Sequence, residues 1–322
     1  MTTTPRVSPP APKSISQEAQ GHVNLLSQFP SPSSMPAHDA DTQEWQEWVA
    51  GIDELIVAAF AAGSPPDAPI AHTEFELDGV RTNVYTPDSV AQNPSPPLFI
   101  DVHGGGLVTG TGEACVALTK AAALEREMIT WAPDYRMPPL HPFPAALDDL
   151  MAVYRKALDE RDPLDLFVGG GSAGGNLAPA MLLRAKDEGL PMPAALVLLT
   201  PEVDLTESGD SFQTNLGIDP VLGSVMDANL LYANGRDLDH PYVSPLYGDL
   251  RGFPPTYLET GTRDLLLSNT VLMHRRLRAA GVQAELHVGE AMSHGRFSSD
   301  TPEGRELAEE LARFLRRHTR QP

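Results

Sequence analysis

The sequence predicts an α/β protein in which helices cover both faces of a mostly parallel sheet. Short apolar runs recur along the chain, and amphipathic helical segments separate the later ones. Eight runs are predicted to be strands: 72–79, 80–85, 98–102, 128–132, 166–168, 194–199, 256–259 and 284–288. The first two meet at Asp78-Gly79, a pair typical of tight hairpins, so they are predicted to be antiparallel.

Helical periodicity predicts amphipathic helices between and around these strands. The helices expected over 147–158 and 307–315 carry apolar residues at helical spacing. Another helix is predicted to start at Asp41, and its apolar stripe must pack on another element: Trp45, Trp48, Val49, Ile52, Leu55, Ile56 and Phe60.

One long interval interrupts the alternation of strands and helices. Roughly fifty residues separate the strand ending at 199 from the strand starting at 256, and an insertion of this length is a candidate lid. It contains a predicted helix over 221–234. The expected organisation has three parts: an N-terminal cap segment over 1–65, a core, and a cap excursion. The proline-rich residues 1–40 of the first part are expected to be poorly ordered. The core is expected over 66–204 and 246–322, and the excursion over 205–245.

Charge and cysteine content exclude several classes of function. The 322 residues include 23 Lys and Arg against 43 Asp and Glu, which gives a net charge of -20. Such a surface repels nucleic acids and anionic lipids, so neither is an expected partner. Cys115 is the single cysteine, which rules out an intrachain disulfide and a cysteine-based zinc or iron–sulfur site. We expect it to be a small buried side chain.

Membrane, export and metal signals are also missing from the sequence. No run of 18 apolar residues predicts a membrane span, and no apolar core of a signal peptide is visible, so a cytoplasmic location is expected. No metal site is expected either, because these histidines lack two-ligand spacing beside a carboxylate: His72, His141, His240, His274, His287 and His318.

The strongest chemical signal is a glycine-flanked serine, Gly170-x-Ser172-x-Gly174, between a predicted strand and a predicted helix. Such a turn strains the serine backbone and raises its hydroxyl above the sheet. The residues two before and two after must be very small, because strand and helix nearly touch there. Ser172 is therefore a candidate nucleophile.

The same glycines permit a second interpretation. Gly169-x-Gly171-x-x-Gly174 after a strand also fits a dinucleotide-binding fingerprint. That fingerprint needs an acidic residue at the end of the next strand. Asp187 and Glu188 have nearly the right separation but precede that strand, so this interpretation is disfavoured.

A second glycine motif, His103-Gly104-Gly105-Gly106, directly follows a predicted strand. Consecutive glycines let backbone N–H groups converge on one point. A serine that transfers acyl groups needs such donors for its oxyanion, and each contributes about 3–4 kcal/mol to lowering the barrier. A plain tight turn is the simpler alternative, with His103 bracing the loop.

The order of two further polar residues completes the constellation. Asp264 and His294 each follow a predicted strand, so both should lie at the carboxyl edge of the sheet with Ser172. The chain order serine, aspartate, histidine is that of α/β-hydrolase triads. The histidine would take and return the serine proton while the aspartate fixes its tautomer.

Together these motifs resemble the hormone-sensitive lipase family of α/β-hydrolases, in its bacterial carboxylesterase branch. The resemblance spans most of the chain and is carried by these segments in order: 103–106, 134–136, 141–149, 170–176, 204–206, 261–264 and 294–295. It implies an α/β-hydrolase fold with an eight-stranded sheet and a helical cap, and oxyanion donors at Gly105, Gly106 and Ala173. It also implies hydrolysis of short-chain acyl esters without a cofactor, and a homodimer, since many members are dimers.

Two departures from the family pattern fall at expected substrate-binding positions. Leu107 stands where an aromatic residue usually follows the glycines, and Glu202 stands where an indole usually shapes the pocket. We therefore expect Glu202 to disfavour anionic substrates. Two alternatives stay open: hydrolysis of amides, lactones or carbamates by the same triad, and a non-catalytic binding protein. Plant gibberellin receptors are such proteins, but they lack the histidine that is present here as His294.

Overall fold

The computed structural model describes residues 9–28, 35–61, 69–93 and 95–320. Predictions that fall on 1–8, 29–34, 62–68, 94 and 321–322 lie outside the described residues. The expected eight strands are confirmed, in some cases with shifted ends: β1 Ile70–Leu77, β2 Val80–Pro87, β3 Leu98–Val102, β4 Ile129–Pro133, β5 Leu166–Gly171, β6 Ala195–Leu199, β7 Thr256–Gly261 and β8 Ala284–Gly289.

The strands form one sheet in the order β1-β2-β4-β3-β5-β6-β7-β8. β1 and β2 form the predicted hairpin, in which Asp78 and Gly79 adopt φ of 52° and 83°, and β2 also pairs with β4 in the antiparallel sense. All other neighbours are parallel. The carboxyl ends of β3, β5, β7 and β8 therefore lie along one edge of the sheet.

Helices pack on both faces of this sheet. They are α1 Gln17–Leu26, α2 Thr42–Ala61, α3 Glu113–Arg126, α4 Ala145–Glu160, α5 Gly174–Asp187, α6 Ser211–Thr214, α7 Met226–Ala233, α8 Leu267–Ala279 and α9 Pro302–His318. Along β3 the buried side chains alternate between the faces. Ile100 joins a core cluster with residues of α4, α5 and α8, whereas Phe99 joins a cluster that includes Phe314 of α9. None of the described helices has the length and apolar character to cross a lipid bilayer.

Helix α1 is an element that the sequence analysis missed. Its cap residue Ser16 donates hydrogen bonds from its amide and hydroxyl to the Glu303 carboxylate of α9, at 2.6 and 2.7 Å. Ala19 and Val23 pack against Met292 and other residues of the segment that follows β8. Part of the N-terminal segment thus braces the loop after β8.

The apolar stripe of α2 is most fully buried near the start of the helix. Trp45 is fully buried against Val108, which follows the glycine motif, and Ala228 of α7. Leu55 and Phe60 are 64% and 38% exposed. Ile52 and Ile56 of the same stripe are half-buried, and α2 also contacts α3. The expectation that the stripe packs on another element is therefore wrong for Leu55 and Phe60.

The helix predicted over 221–234 begins five residues later than expected, at Met226. One oxygen of the buried Asp219 side chain accepts hydrogen bonds from the amides of Val221 and Leu222, at 2.9 and 3.2 Å. This side-chain acceptor holds both amides in a turn, so the chain becomes helical only after it.

Trp45 and Leu55 of α2 should differ sharply in their contribution to stability. Trp45→Ala removes a fully buried indole and should lower the free energy of unfolding by about 3–5 kcal/mol. Leu55→Ala changes an exposed side chain of the same helix and should shift it by no more than about 0.5 kcal/mol. Chemical denaturation of both variants and the parent tests this, and equal effects would contradict the packing described here.

Candidate active site

Ser172 lies on the turn between β5 and α5, with a left-handed φ of 53°. The flanking glycines are required sterically. A Cβ at Gly170 would lie 2.3 Å from the carbonyl oxygen of Val102, and a Cβ at Gly174 would lie 1.8 Å from it. The amide of Ser172 donates to the carbonyl of Leu199 at 3.0 Å, which ties the turn to β6. The predicted close approach of strand and helix is thus present.

Three side chains from different loops meet at this turn. The Nε2 atom of His294 lies 2.9 Å from the Oγ of Ser172, and its Nδ1 lies 3.1 Å from an Oδ of Asp264. Asp264 is fully buried and also accepts hydrogen bonds from the hydroxyl of Thr260 at 2.7 Å and the amide of Leu266 at 2.9 Å. A carboxylate can only accept from neutral imidazole, so Nδ1 carries the proton and Nε2 is free to accept the serine proton.

The electrostatic surroundings of His294 favour its protonated form. Burial alone lowers the pKa of the imidazole, but the hydrogen bond and the charge of Asp264 raise it. The charges of Asp219 and Glu202 add to this effect, so the net shift of the pKa of His294 is upward from its ordinary value of 6.5. These surroundings would therefore stabilise an imidazolium at His294.

The glycine motif forms a partly exposed loop beside Ser172. A Cβ at Gly104 would lie 3.4 Å from the Cβ of Ser172, which shows how close the two segments run. Gly105 and Gly106 adopt φ of 130° and 57°, and a Cβ at Gly105 would lie 2.0 Å from the carbonyl oxygen of Thr109. Within the described residues, the amides of Gly105, Gly106 and Ala173 donate no backbone hydrogen bond and stay available to a ligand.

His103 braces this loop and takes no part in the triad. Its ring is buried and stacks on Tyr135 with ring centres 4.1 Å apart, and its Nδ1 donates to the carbonyl of Gly104 at 2.7 Å. The hydroxyl of Tyr135 donates to the carbonyl of His103 at 2.7 Å. Burial lowers the pKa of His103, so the ring stays neutral.

The two expected substrate-binding residues lie close to the triad but are buried. Leu107 has a left-handed φ of 64° and belongs to the central core cluster. Glu202 lies beside the nucleophile, since its amide donates to the carbonyl of Ser172 at 3.1 Å. Burial, with the nearby charges of Glu207 and Asp204, raises the pKa of Glu202 to about 7.

A cluster of potential metal ligands lies beneath the glycine loop. The ligand atoms of His103, Cys115 and Asp134 come within 4.8 Å of one another. Asp134 is already engaged, because it pairs with Arg81 at 2.8 Å and accepts from the amide of Gly112 at 3.1 Å. Burial also raises the pKa of the Cys115 thiol, so the group stays protonated. These contacts indicate that the three side chains support the loop structurally.

The acidic residues that the dinucleotide interpretation needs lie in the wrong place. Asp187 ends α5 and Glu188 caps it. Helix α5 runs back from the carboxyl edge of the sheet, so both carboxylates lie towards the opposite edge, away from the glycine turn. This arrangement does not support dinucleotide binding.

Sequence reasoning missed several residues that hold the site from outside the sheet. Asp53 of α2 accepts a hydrogen bond from the amide of Gly110, at 2.7 Å, at the end of the glycine loop. The amide group of Asn215 donates to the carbonyl of Asp264 at 2.8 Å. Asp219 contacts the loops that carry Asp264 and His294. No motif marks these residues, because their partners are distant in the chain.

Comparisons with known proteins agree with this fold. A family model described as alpha/beta hydrolase fold matches residues 99–298. A curated relative, an esterase from Acinetobacter venetianus, is 31% identical over 256 residues, which cover 78% of this chain and 83% of that protein. Among solved structures, the esterase E25 is 38% identical, with a TM-score of 0.87 over 99% of both chains.

Another similar solved structure belongs to a named branch of the α/β-hydrolases. It is an esterase from the bacterial hormone-sensitive lipase family, 30% identical, with a TM-score of 0.74 over 92% of this chain and 96% of that chain. The chain belongs to the α/β-hydrolase family and, within it, to the bacterial esterase branch that resembles hormone-sensitive lipase.

Proposed function

We propose that this chain is a serine carboxylesterase in which Ser172 is the nucleophile, His294 the general base and acid, and Asp264 the residue that orients His294. The observation that carries the proposal is the unbroken pair of contacts from Ser172 to His294 at 2.9 Å and from His294 to Asp264 at 3.1 Å. The imidazole also argues against a non-catalytic binding protein, because it is in place to accept the serine proton.

Acylation begins when the Oγ of Ser172 attacks the carbonyl carbon of the ester while its proton passes to Nε2 of His294. The negative charge that develops on the carbonyl oxygen is stabilised by the amides of Gly105, Gly106 and Ala173. Collapse of the tetrahedral intermediate breaks the bond to the alcohol, which leaves with the proton from Nε2. The acyl group then remains on Ser172.

Deacylation repeats the same steps with water. Nε2 of His294 takes a proton from water as the water oxygen attacks the acyl carbon. It returns that proton to Ser172 when the bond between the acyl carbon and the Oγ of Ser172 breaks and the acid leaves. Asp264 keeps Nδ1 protonated throughout and stabilises each imidazolium. No step needs a cofactor, and the preference for short acyl chains follows from the family resemblance. A homodimer and a cytoplasmic location stay predictions from the sequence.

The assignment of the nucleophile is tested by Ser172→Ala. Hydrolysis of p-nitrophenyl acetate and butyrate should fall by about a factor of 10⁶ in kcat, because no other group can form the acyl-enzyme. Unchanged thermal unfolding would show that the variant is folded. Residual activity within tenfold of the parent would mean that another residue is the nucleophile.

The pH dependence follows from the upward shift of the pKa of His294. Protonated imidazole cannot accept the serine proton, so kcat/KM should fall as pH drops, with a midpoint above 6.5. Rates for p-nitrophenyl butyrate between about pH 5 and 9 at constant ionic strength measure this. A midpoint below 6.5 would contradict the stabilisation by surrounding carboxylates.

Glu202 should impose a pH-dependent preference for neutral esters. Its pKa of about 7 means that its charge appears as pH rises through neutrality. The ratio of kcat/KM for ethyl butyrate over monoethyl succinate should then grow by about tenfold, a value expected for two charges about 10 Å apart at an effective dielectric constant of about 20.

Two variants separate this local effect from the net charge of the chain. Glu202→Gln should abolish the growth of the ratio with pH. Glu54→Gln, which removes an exposed carboxylate of α2, should leave it intact. Equal pH dependence of the ratio in wild type and Glu202→Gln would refute the role of Glu202 in specificity.

A further inference from the structure

Asp219 is a fully buried carboxylate in the turn between α6 and α7, within the expected cap excursion. Its Oδ1 accepts from the local amides of Val221 and Leu222. Its Oδ2 accepts from the amide of Leu265 at 2.9 Å and from the amide of His294 at 3.1 Å. All four hydrogen bonds thus come from backbone N–H groups, and two of them come from distant loops.

The two distant donors belong to the loops that present the acid and the base. Leu265 directly follows Asp264 after β7, and His294 lies in the loop after β8. A single oxygen of Asp219 therefore links the backbone next to Asp264 to the backbone of His294. The separation of these two backbone segments determines whether Asp264 and His294 can form their hydrogen bond. Since the loops meet elsewhere too, as at the amide of Arg263, which donates to the carbonyl of Met292 at 3.0 Å, Asp219 is not their sole connection.

The Asp219 carboxylate also acts on the imidazole through its charge. Three carboxylates face His294, each from a different element: Asp264 after β7, Glu202 after β6, and Asp219 from the excursion. The nearby cations are engaged elsewhere, since Arg296 pairs with Glu259 at 2.6 Å and Arg263 donates to the carbonyls of Pro9 and Pro10. On the outer side, His22 contacts the carbonyl of Arg296 at 2.9 Å.

We propose that Asp219 is a positioning residue, which fixes His294 against Asp264 and adds its charge to those of the other two carboxylates when the imidazole takes up the serine proton. The proposal rests on the proposed function, because it assigns Asp219 to the same triad. It also means that the excursion is bound to the catalytic loops and does not merely cover the pocket. Asp219 is fully buried and hydrogen-bonds to the amide of His294, so it acts through His294.

Asp219→Asn tests the proposal, because the amide keeps the size of the side chain but loses the charge and one acceptor oxygen. We expect kcat for p-nitrophenyl butyrate to fall by about 10- to 100-fold, the cost of a small misplacement of catalytic groups, with KM within about twofold. The acidic limb of the kcat/KM profile should move to lower pH, since one carboxylate that favours the imidazolium is gone.

Two further variants separate charge, position and simple folding. Asp219→Glu keeps the charge but moves the carboxylate by one methylene, so kcat should fall while the acidic limb stays near that of wild type. Asp210→Asn makes the same chemical change at an exposed residue of the excursion and should match wild type in both measurements. Because Asp219→Glu retains the charge, it also serves if Asp219→Asn fails to fold.

The outcomes distinguish this proposal from the proposed function. A wild-type protein without esterase activity, or without an acidic limb, would refute the assignment of the triad. An active wild type combined with an unmoved acidic limb in folded Asp219→Asn would refute the role of Asp219 alone. Wild-type kcat in Asp219→Glu would also refute it, because the position of the carboxylate would then not matter.

Discussion

Gly170 and Gly174 let the carbonyl of Val102 approach the turn at Ser172 so closely that no larger residue fits at either position. This contact sets where α5 starts relative to β3 and β5, and it keeps Ser172 in a left-handed conformation that costs about 1–3 kcal/mol. The buried packing of α5 on the sheet offsets that cost. As a result, the hydroxyl lies at the carboxyl edge of the sheet, where the other loops converge.

Segments outside the sheet then fix those loops. Asp53 holds the end of the glycine loop, Asp219 joins the loops of the acid and the base, and α1 packs behind the loop of His294. The parallel strands bring the residues to one edge, and we propose that these contacts hold them within hydrogen-bond distance there. The N-terminal segment and the excursion therefore contribute to the geometry of the triad as well as to any cover over the pocket.

The sequence was sufficient to predict the strands, because short apolar runs between helical segments are typical of a buried parallel sheet, and glycine spacing revealed the turn at Ser172. The sequence did not predict contacts between segments that are distant in the chain. Amphipathicity of α2 could not show that Leu55 would be largely exposed, and helical periodicity could not show that Asp219 accepts hydrogen bonds from the amides of Val221 and Leu222. Asp219 itself carries no motif, so only the folded chain reveals its place between the catalytic loops.

If Ser172 is an activated nucleophile, a serine-reactive probe should label it covalently. Wild type and Ser172→Ala would be incubated with a fluorophosphonate probe and their intact masses measured, with thermal unfolding to establish that both are folded. We expect one adduct per wild-type chain and none on the variant. No adduct on folded wild type, or equal labelling of both proteins, would contradict it.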